Sequence, residues 1–419
     1  MKFFFPDSQD QVDPSFDFET ETRSKTRIRQ RDDLYAHEVF TESPYSGILV
    51  SMTMVDPQQT GRSRYTMAQR RRFQRLGVRR FFRLHKPEYE HVETMGDCGA
   101  FTYKDQDEPP YSPEQVADFY ERCEFDFGVS VDHVVLQFQD QQEIPDISAV
   151  PEQWKERQEL TLELADEFLS LYESRDYSFY PVGIAQGWSP QSYAEAVDSL
   201  QKMGYDFIAL GGLVPAKTRQ IVQALKAIDE IRTPSTRLHL FGISRFEHAR
   251  EFSQYGVASI DSTAPLKKAF KSTRDNYYTP DGTYMAIRVP QVGANTKLRR
   301  RIKAGEVDQQ RARKLQNKCL DLLRAYDRQE ADVDHVLEAI DKYYSLIGRK
   351  RKRLEKYRET LVDAPWENCS CEICMNLGID VVIFRGSERN KRRGFHNLNV
   401  FYNLLCDELA PLNKESELA

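Results

Sequence analysis

The sequence predicts an α/β fold, a (β/α)8 barrel of the TIM type with a helical insertion ahead of the last barrel helix. Three observations predict it. Short apolar runs alternate with amphipathic helical runs as far as residue 289, a rhythm of parallel βα units. No glycine-rich fingerprint follows the first run, so an open dinucleotide-binding sheet lacks its defining turn. Beyond residue 295 the pattern changes to long, charged helical stretches and a cysteine cluster, before an apolar helix resumes at His396. A length of 419 residues suits a large barrel with an appended subdomain.

In chain order, residues 1–45 are polar and proline-dotted and read as an irregular N-terminal segment. "GILVSM" (47–52) reads as the first strand, followed by an arginine-rich helix near 65–76. "EHVETMGDCG" (90–99) precedes a helix at 112–123, with Ser112 at its N-cap and Pro113 at the first helical position. "GVSVDHVVLQF" (128–138) precedes the amphipathic run 152–174, and "FYPVGIAQG" (179–187) precedes 190–203. "YDFIALGG" (205–212), "RLHLFGIS" (237–244) and "GVASID" (256–261) each precede a further helix, and "TYMAIRV" (283–289) supplies an eighth strand. The barrel then spans 46–295, a basic helical and metal-binding subdomain 296–396, and the last barrel helix with its tail 397–419.

The first residues lack the apolar stretch of a secretory signal, and no run is long enough to cross a bilayer, so a cytoplasmic protein away from membranes is expected. The net charge of −6 conceals four dense basic clusters, Arg70–Lys86, Lys297–Lys303, Arg349–Arg358 and Arg389–Arg393. Each alone is an ordinary solvated helix face; four together point to a polyanionic partner whose counterions they displace.

Barrel chemistry sits at the C-terminal ends of strands. Asp97 follows the second predicted strand, Asp132 lies in the third, Gln186 ends the fourth, Gly211, Gly212 and Leu213 end the fifth, and Asp261 ends the seventh. A single aspartate at such a place is more often a cap or a loop hydrogen-bonder than a catalyst. Cys98 has no histidine partner placed by sequence and reads as a pocket wall. The C-x-C-x-x-C of Cys369, Cys371 and Cys374, with His396 beyond it, matches a closed tetrahedral Zn2+ shell of the structural kind. A redox pair at Cys371–Cys374 is the competing reading, without thioredoxin-like surroundings.

These residues resemble those of the tRNA-guanine transglycosylase superfamily. The cysteine cluster closing on "HNL" is similar to that superfamily's zinc site. "GDCGAF" resembles its D-S-G-G-[FY] motif, "GIAQG" its G-[IV]-[VI]-Q-G motif, "ALGGL" its glycine loop, and "GVASIDSTAP" the segment carrying its nucleophile. The resemblance covers roughly residues 45 to 405. It implies Asp261 as nucleophile, Asp97 as general acid/base, base reading by Asp132, Gln186, Gly212 and Leu213, and structural Zn2+ on Cys369, Cys371, Cys374 and His396. Ala100 and Cys98 depart from the motif, the Cys-to-His spacing is shorter, and the C-V-x-P-T-R continuation is missing after Asp261. The N-terminal wording and the basic insertion look closest to the branch that places 7-deazaguanines into DNA. That branch implies 7-cyano-7-deazaguanine (preQ0) as incoming base and a partner ATPase. Two alternatives stand beside it: an enzyme acting on tRNA, and a non-catalytic zinc-bearing subunit that binds nucleic acid, which would have no need of both Asp97 and Asp261.

Overall fold

Eight parallel strands close into a barrel in chain order: β1 (Lys2–Pro6), β2 (Gly47–Ser51), β3 (Glu93–Asp97), β4 (Phe127–Val129), β5 (Tyr180–Ala185), β6 (Phe207–Leu210), β7 (Arg237–Leu240) and β8 (Val257–Asp261). This computed structural model describes residues 1–57, 64–138, 150–349 and 353–417. Ring closure falls between β1 and β8, where Phe3 registers with Ile260 and Phe4 with Asp261. Inward side chains fill the barrel as a packed core of Phe4, Leu49, Met95, Val129, Val182, Ile184, Phe207 and Ala209.

The first strand corrects the sequence reading. Residues 1–45 were expected to be irregular, yet "KFFFP" is β1, and its three phenylalanines are buried. Four residues between charges are too short to show a period, so only pairing on both edges reveals the strand. The expected eighth strand at 283–289 does not enter the barrel. Gly282–Tyr284 pairs antiparallel with Tyr277–Thr279, and Ile287–Arg288 pairs with Ile383–Phe384. Every strand end considered above therefore moves up one place in the barrel count. Asp132 is corrected too: β4 ends at Val129, and Asp132 lies in the irregular stretch that follows.

Most helices fall where their caps and periodicity put them. Pro113–Arg122 starts on Ser112, whose hydroxyl accepts from the Gln115 N–H at 3.3 Å, with Pro113 in the first turn. Pro190–Met203 repeats the arrangement on Ser189. The long run 152–174 forms Glu152–Arg175.

The chain divides into two compact units. One comprises Met1–Gln9, Tyr45–Thr263 and Leu405–Ala419; the other comprises Asp10–Pro44 and Ala264–Leu404. The second unit is mainly helical, with Thr296–Lys303, Gln309–Asp327, Val333–Leu346 and Leu354–Asp363 where two longer helices were expected. The last helix, Gly386–Glu417, begins ten residues before His396, so His396 lies inside it and not ahead of it.

The early part of that helix was misread for an electrostatic reason. Arg389, Arg392 and Arg393 belong to one of the four basic clusters, yet they are buried and not offered to a polyanion. Arg389 reaches Glu21 at 2.6 Å and Asp380 at 2.7 Å, and Arg392 reaches Glu388 at 2.8 Å. Arg393 donates to the carbonyls of Val381, Ile383 and Ala269. Buried guanidinium groups survive only with such partners. Elsewhere Arg71, Arg75 and Arg80 remain exposed, as do Lys297, Arg299, Arg300 and Lys303. Lys350, Arg351 and Lys352 of the remaining cluster lie outside the described residues. No helix among the described residues is long and apolar enough to cross a membrane.

Candidate active site and metal centre

The C-terminal ends of β3, β5, β6 and β8, with the loop after β4, bring Asp97, Asp132, Gln186, Gly212 and Asp261 to one mouth. Asp97 ends β3 in register with Ser51, which hydrogen-bonds its carboxylate. Its Oδ1 is buried without a hydrogen-bond partner among the described residues. Burial pushes the Asp97 carboxyl up to about 7, against the pull of Ser51 and with a further push from the charges of Asp261 and Asp132. A carboxyl balanced near neutrality can both give and take a proton.

Asp132 is held by a chain of donors. The Tyr103 hydroxyl donates to Cys98 Sγ at 2.9 Å, Cys98 donates to Asp132 Oδ1 at 3.1 Å, and Gln186 Nε2 donates to Asp132 Oδ2 at 2.5 Å. Burial raises the Asp132 carboxyl to about 6, while the Cys98 and Gln186 bonds pull the other way. Burial, with the charges of Asp132 and Asp97, pushes the Cys98 thiol well above its ordinary value, so Cys98 stays protonated and acts as a donor. The amide of Gln186 is itself fixed, its Oε1 accepting from the Val135 N–H at 3.2 Å.

The glycine loop after β6 packs on that amide. Gly212 has φ of +74°, and a Cβ there would lie 2.2 Å from the Val135 carbonyl, so only glycine fits. A Cβ on Gly211 would meet Gln186 Nε2 at 2.1 Å. Leu213 is fully buried.

Asp261 ends β8 and is almost fully buried. Its Oδ1 accepts from the Gly242 N–H at 2.8 Å and lies 3.3 Å from His239 Nε2; Oδ2 has no hydrogen-bond partner among the described residues. Sequence reasoning missed His239, Tyr103 and Gly242. The one available signal was "RLHL", a histidine alternating with leucines in a barrel strand and so pointing inward.

In the second unit, Cys369, Cys371, Cys374 and His396 present four ligand atoms within 4.8 Å of one another. His396 Nδ1 lies 3.3 to 3.6 Å from the three sulfurs. Its Nε2 meets the Tyr278 carbonyl at 2.8 Å, which fixes the ring and turns Nδ1 to the sulfurs. Tyr277 stacks on the imidazole at 4.1 Å between centroids and brings its hydroxyl to 3.2 Å from Cys374 Sγ. Three sulfurs and a nitrogen this close fit a tetrahedral metal shell. The cluster can hold a metal ion.

No protein-family model matches the chain. A curated protein of Salmonella montevideo, the DNA-guanine transglycosylase, is 48% identical over 410 residues, which cover 97% of this chain and 96% of that protein. The chain belongs to the DNA-guanine transglycosylase family. As a DNA-guanine transglycosylase it is an enzyme of the base-exchanging glycosyltransferase type, and the barrel mouth with three aspartates is its candidate active site. The third possibility, a binding subunit without catalysis, is thereby set aside.

Proposed function

We propose that the protein exchanges guanine in DNA for a 7-deazaguanine base, preQ0, by two displacements at C1′ of deoxyribose. The observation that carries the mechanism is the asymmetry of the mouth: Asp261 has one oxygen held by the Gly242 N–H beside His239 and the other without a partner among the described residues, and the Asp97 carboxyl is raised to about 7. In the first displacement Asp261 Oδ2 forms a bond to C1′ as the bond to guanine breaks, and Asp97 delivers a proton to the departing base. The product is a covalent glycosyl-aspartate, as in retaining glycosidases. In the second, Asp97 takes the proton from the incoming base, whose ring nitrogen attacks C1′ and frees Asp261.

Asp132, Gln186 and the backbone of Gly212 and Leu213 read the polar edges of the base. The Tyr103–Cys98–Asp132–Gln186 chain supports this role, because donors and acceptors fixed in advance need no ordering on binding. Cys369, Cys371, Cys374 and His396 hold Zn2+, which folds their segment and takes no part in the exchange. The guanine has to leave the duplex stack, at a cost of a few kcal/mol, and exposed Lys297, Arg299, Arg300 and Lys303 suit phosphate contacts that offset it. A partner ATPase of the same modification system would act with it in the cytoplasm.

Purified protein given radiolabelled preQ0 should label DNA and not tRNA; label in tRNA alone would replace this reading with the tRNA one. Asp261→Ala should lose both exchange and covalent trapping of DNA, and exchange at the parental rate in that variant would sink the nucleophile assignment.

A further inference from the structure

We infer that His239, with Ser259 behind it, is a positioning residue that aims the Asp261 carboxylate and fixes which of its oxygens attacks. The inference rests on Asp261 being the nucleophile. Ser259 and Asp261 stand two residues apart on β8, so both side chains face the same way, and β7 brings His239 into register with Ser259. His239 is fully buried. Its Nδ1 lies 2.8 Å from Ser259 Oγ and its Nε2 lies 3.3 Å from Asp261 Oδ1. Phe4 and Phe241 pack against the ring in T-shaped contacts, with centroids 6.1 and 4.7 Å away.

The proton inventory follows from the partners. An ionised carboxylate only accepts, so Nε2 carries the hydrogen that meets Asp261. An imidazole whose single hydrogen is on Nε2 accepts at Nδ1, and Ser259 is the group that can donate to it. Oδ1 thus receives two N–H groups, from His239 and from the Gly242 backbone, while Oδ2 has no hydrogen-bond partner among the described residues. In the glycosyl-aspartate Oδ1 is the carbonyl oxygen, and the same two donors are in place when negative charge returns to it in the second displacement. His239 touches neither base nor sugar in this scheme; it acts through Asp261.

The test compares His239→Phe, which keeps the ring volume but not the N–H, with His239→Gln, which can place an amide N–H near the position of Nε2. Expected for Phe is a roughly 10- to 100-fold fall in kcat for guanine exchange into DNA, with KM for the base unchanged, and recovery of most of that loss in Gln. Parental kcat in Phe, or equal losses in Phe and Gln at matching melting temperatures, overturns the inference. Should Phe fail to fold, nitrogen NMR of the histidine-labelled parent decides: an Nε2–H tautomer at His239 is expected, and an Nδ1–H tautomer overturns it. Asp261→Asn is run alongside. If it exchanges at the parental rate the nucleophile reading itself fails; if it is inert while Phe is fully active, only the role of His239 fails.

Discussion

Asp97 should weaken the fold it belongs to, and removing its charge should strengthen that fold in a pH-dependent way. Its carboxyl is raised from 3.8 to about 7 in the folded protein, chiefly by burial and then by Asp261 and Asp132. Between those two values the folded chain keeps a proton that the unfolded chain has lost. Stability therefore falls as pH rises from 4 and levels off above 7. At about 1.4 kcal/mol per pH unit the full penalty is about 4 kcal/mol, and water at the open mouth reduces it to roughly 2–4 kcal/mol. Asp97→Asn keeps the shape and an oxygen for Ser51 but cannot ionise. Guanidinium unfolding of parent and variant, repeated at steps from pH 4.5 to 8.5, should show a gain for the variant that is small at the acid end and reaches its maximum near pH 7. A gain that does not change with pH would mean that packing, not charge, is responsible. No gain at pH 8 would mean that Asp97 is not held in a charge-averse site at all.

Further outcomes follow from the same geometry. In the proposed scheme the exchange rate should peak near pH 7, falling below it because the second displacement needs Asp97 ionised and above it because the first needs it protonated; a flat profile from pH 5.5 to 8 would remove Asp97 from the proton transfer. Cys371→Ser should lower bound zinc from one equivalent to near none and reduce soluble yield with it, read by elemental analysis; full zinc in that variant would exclude the four-ligand centre. Glu21→Ala should destabilise the helical unit by about 3–5 kcal/mol, since it strips a carboxylate from buried Arg385 and Arg389, and a loss under 1 kcal/mol in thermal unfolding would show that carbonyl contacts suffice.

How far the fold could be read in advance depended on whether neighbours along the chain carried the information. The helix cap at Ser112 is local, and so was legible. The strands β2 to β8 show apolar runs at a regular spacing, which is enough to suggest a barrel. β1 is equally apolar but isolated, and its identity depends on two partners far away in sequence. The site followed the same division. Asp97, Gln186 and Asp261 stand at strand ends beside small residues, which is a pattern. Tyr103 is a tyrosine in a polar loop with no pattern, His239 shows only its alternation with leucines, and the folded distances are what tie them to Asp132 and Asp261. The arginines of 389–393 show the converse error. Charge density reads as surface, and nothing local announces Glu21, Asp380 and Glu388 waiting to bury it.

The place of β1 has a consequence for how the barrel is made. Phe3 finds its β8 partner Ile260 about 250 residues later, so ring closure is among the longest-range pairings in the chain. On the ribosome β1 emerges first, with one edge committed to β2 and the other waiting for β8. Until β8 arrives, three phenylalanines and two open strand edges are available to other chains. Slow growth temperatures or a holdase should improve the yield of native protein more than any change to the surface. Substitutions at Phe3 or Phe5 should act on that yield before they act on the stability of the finished barrel.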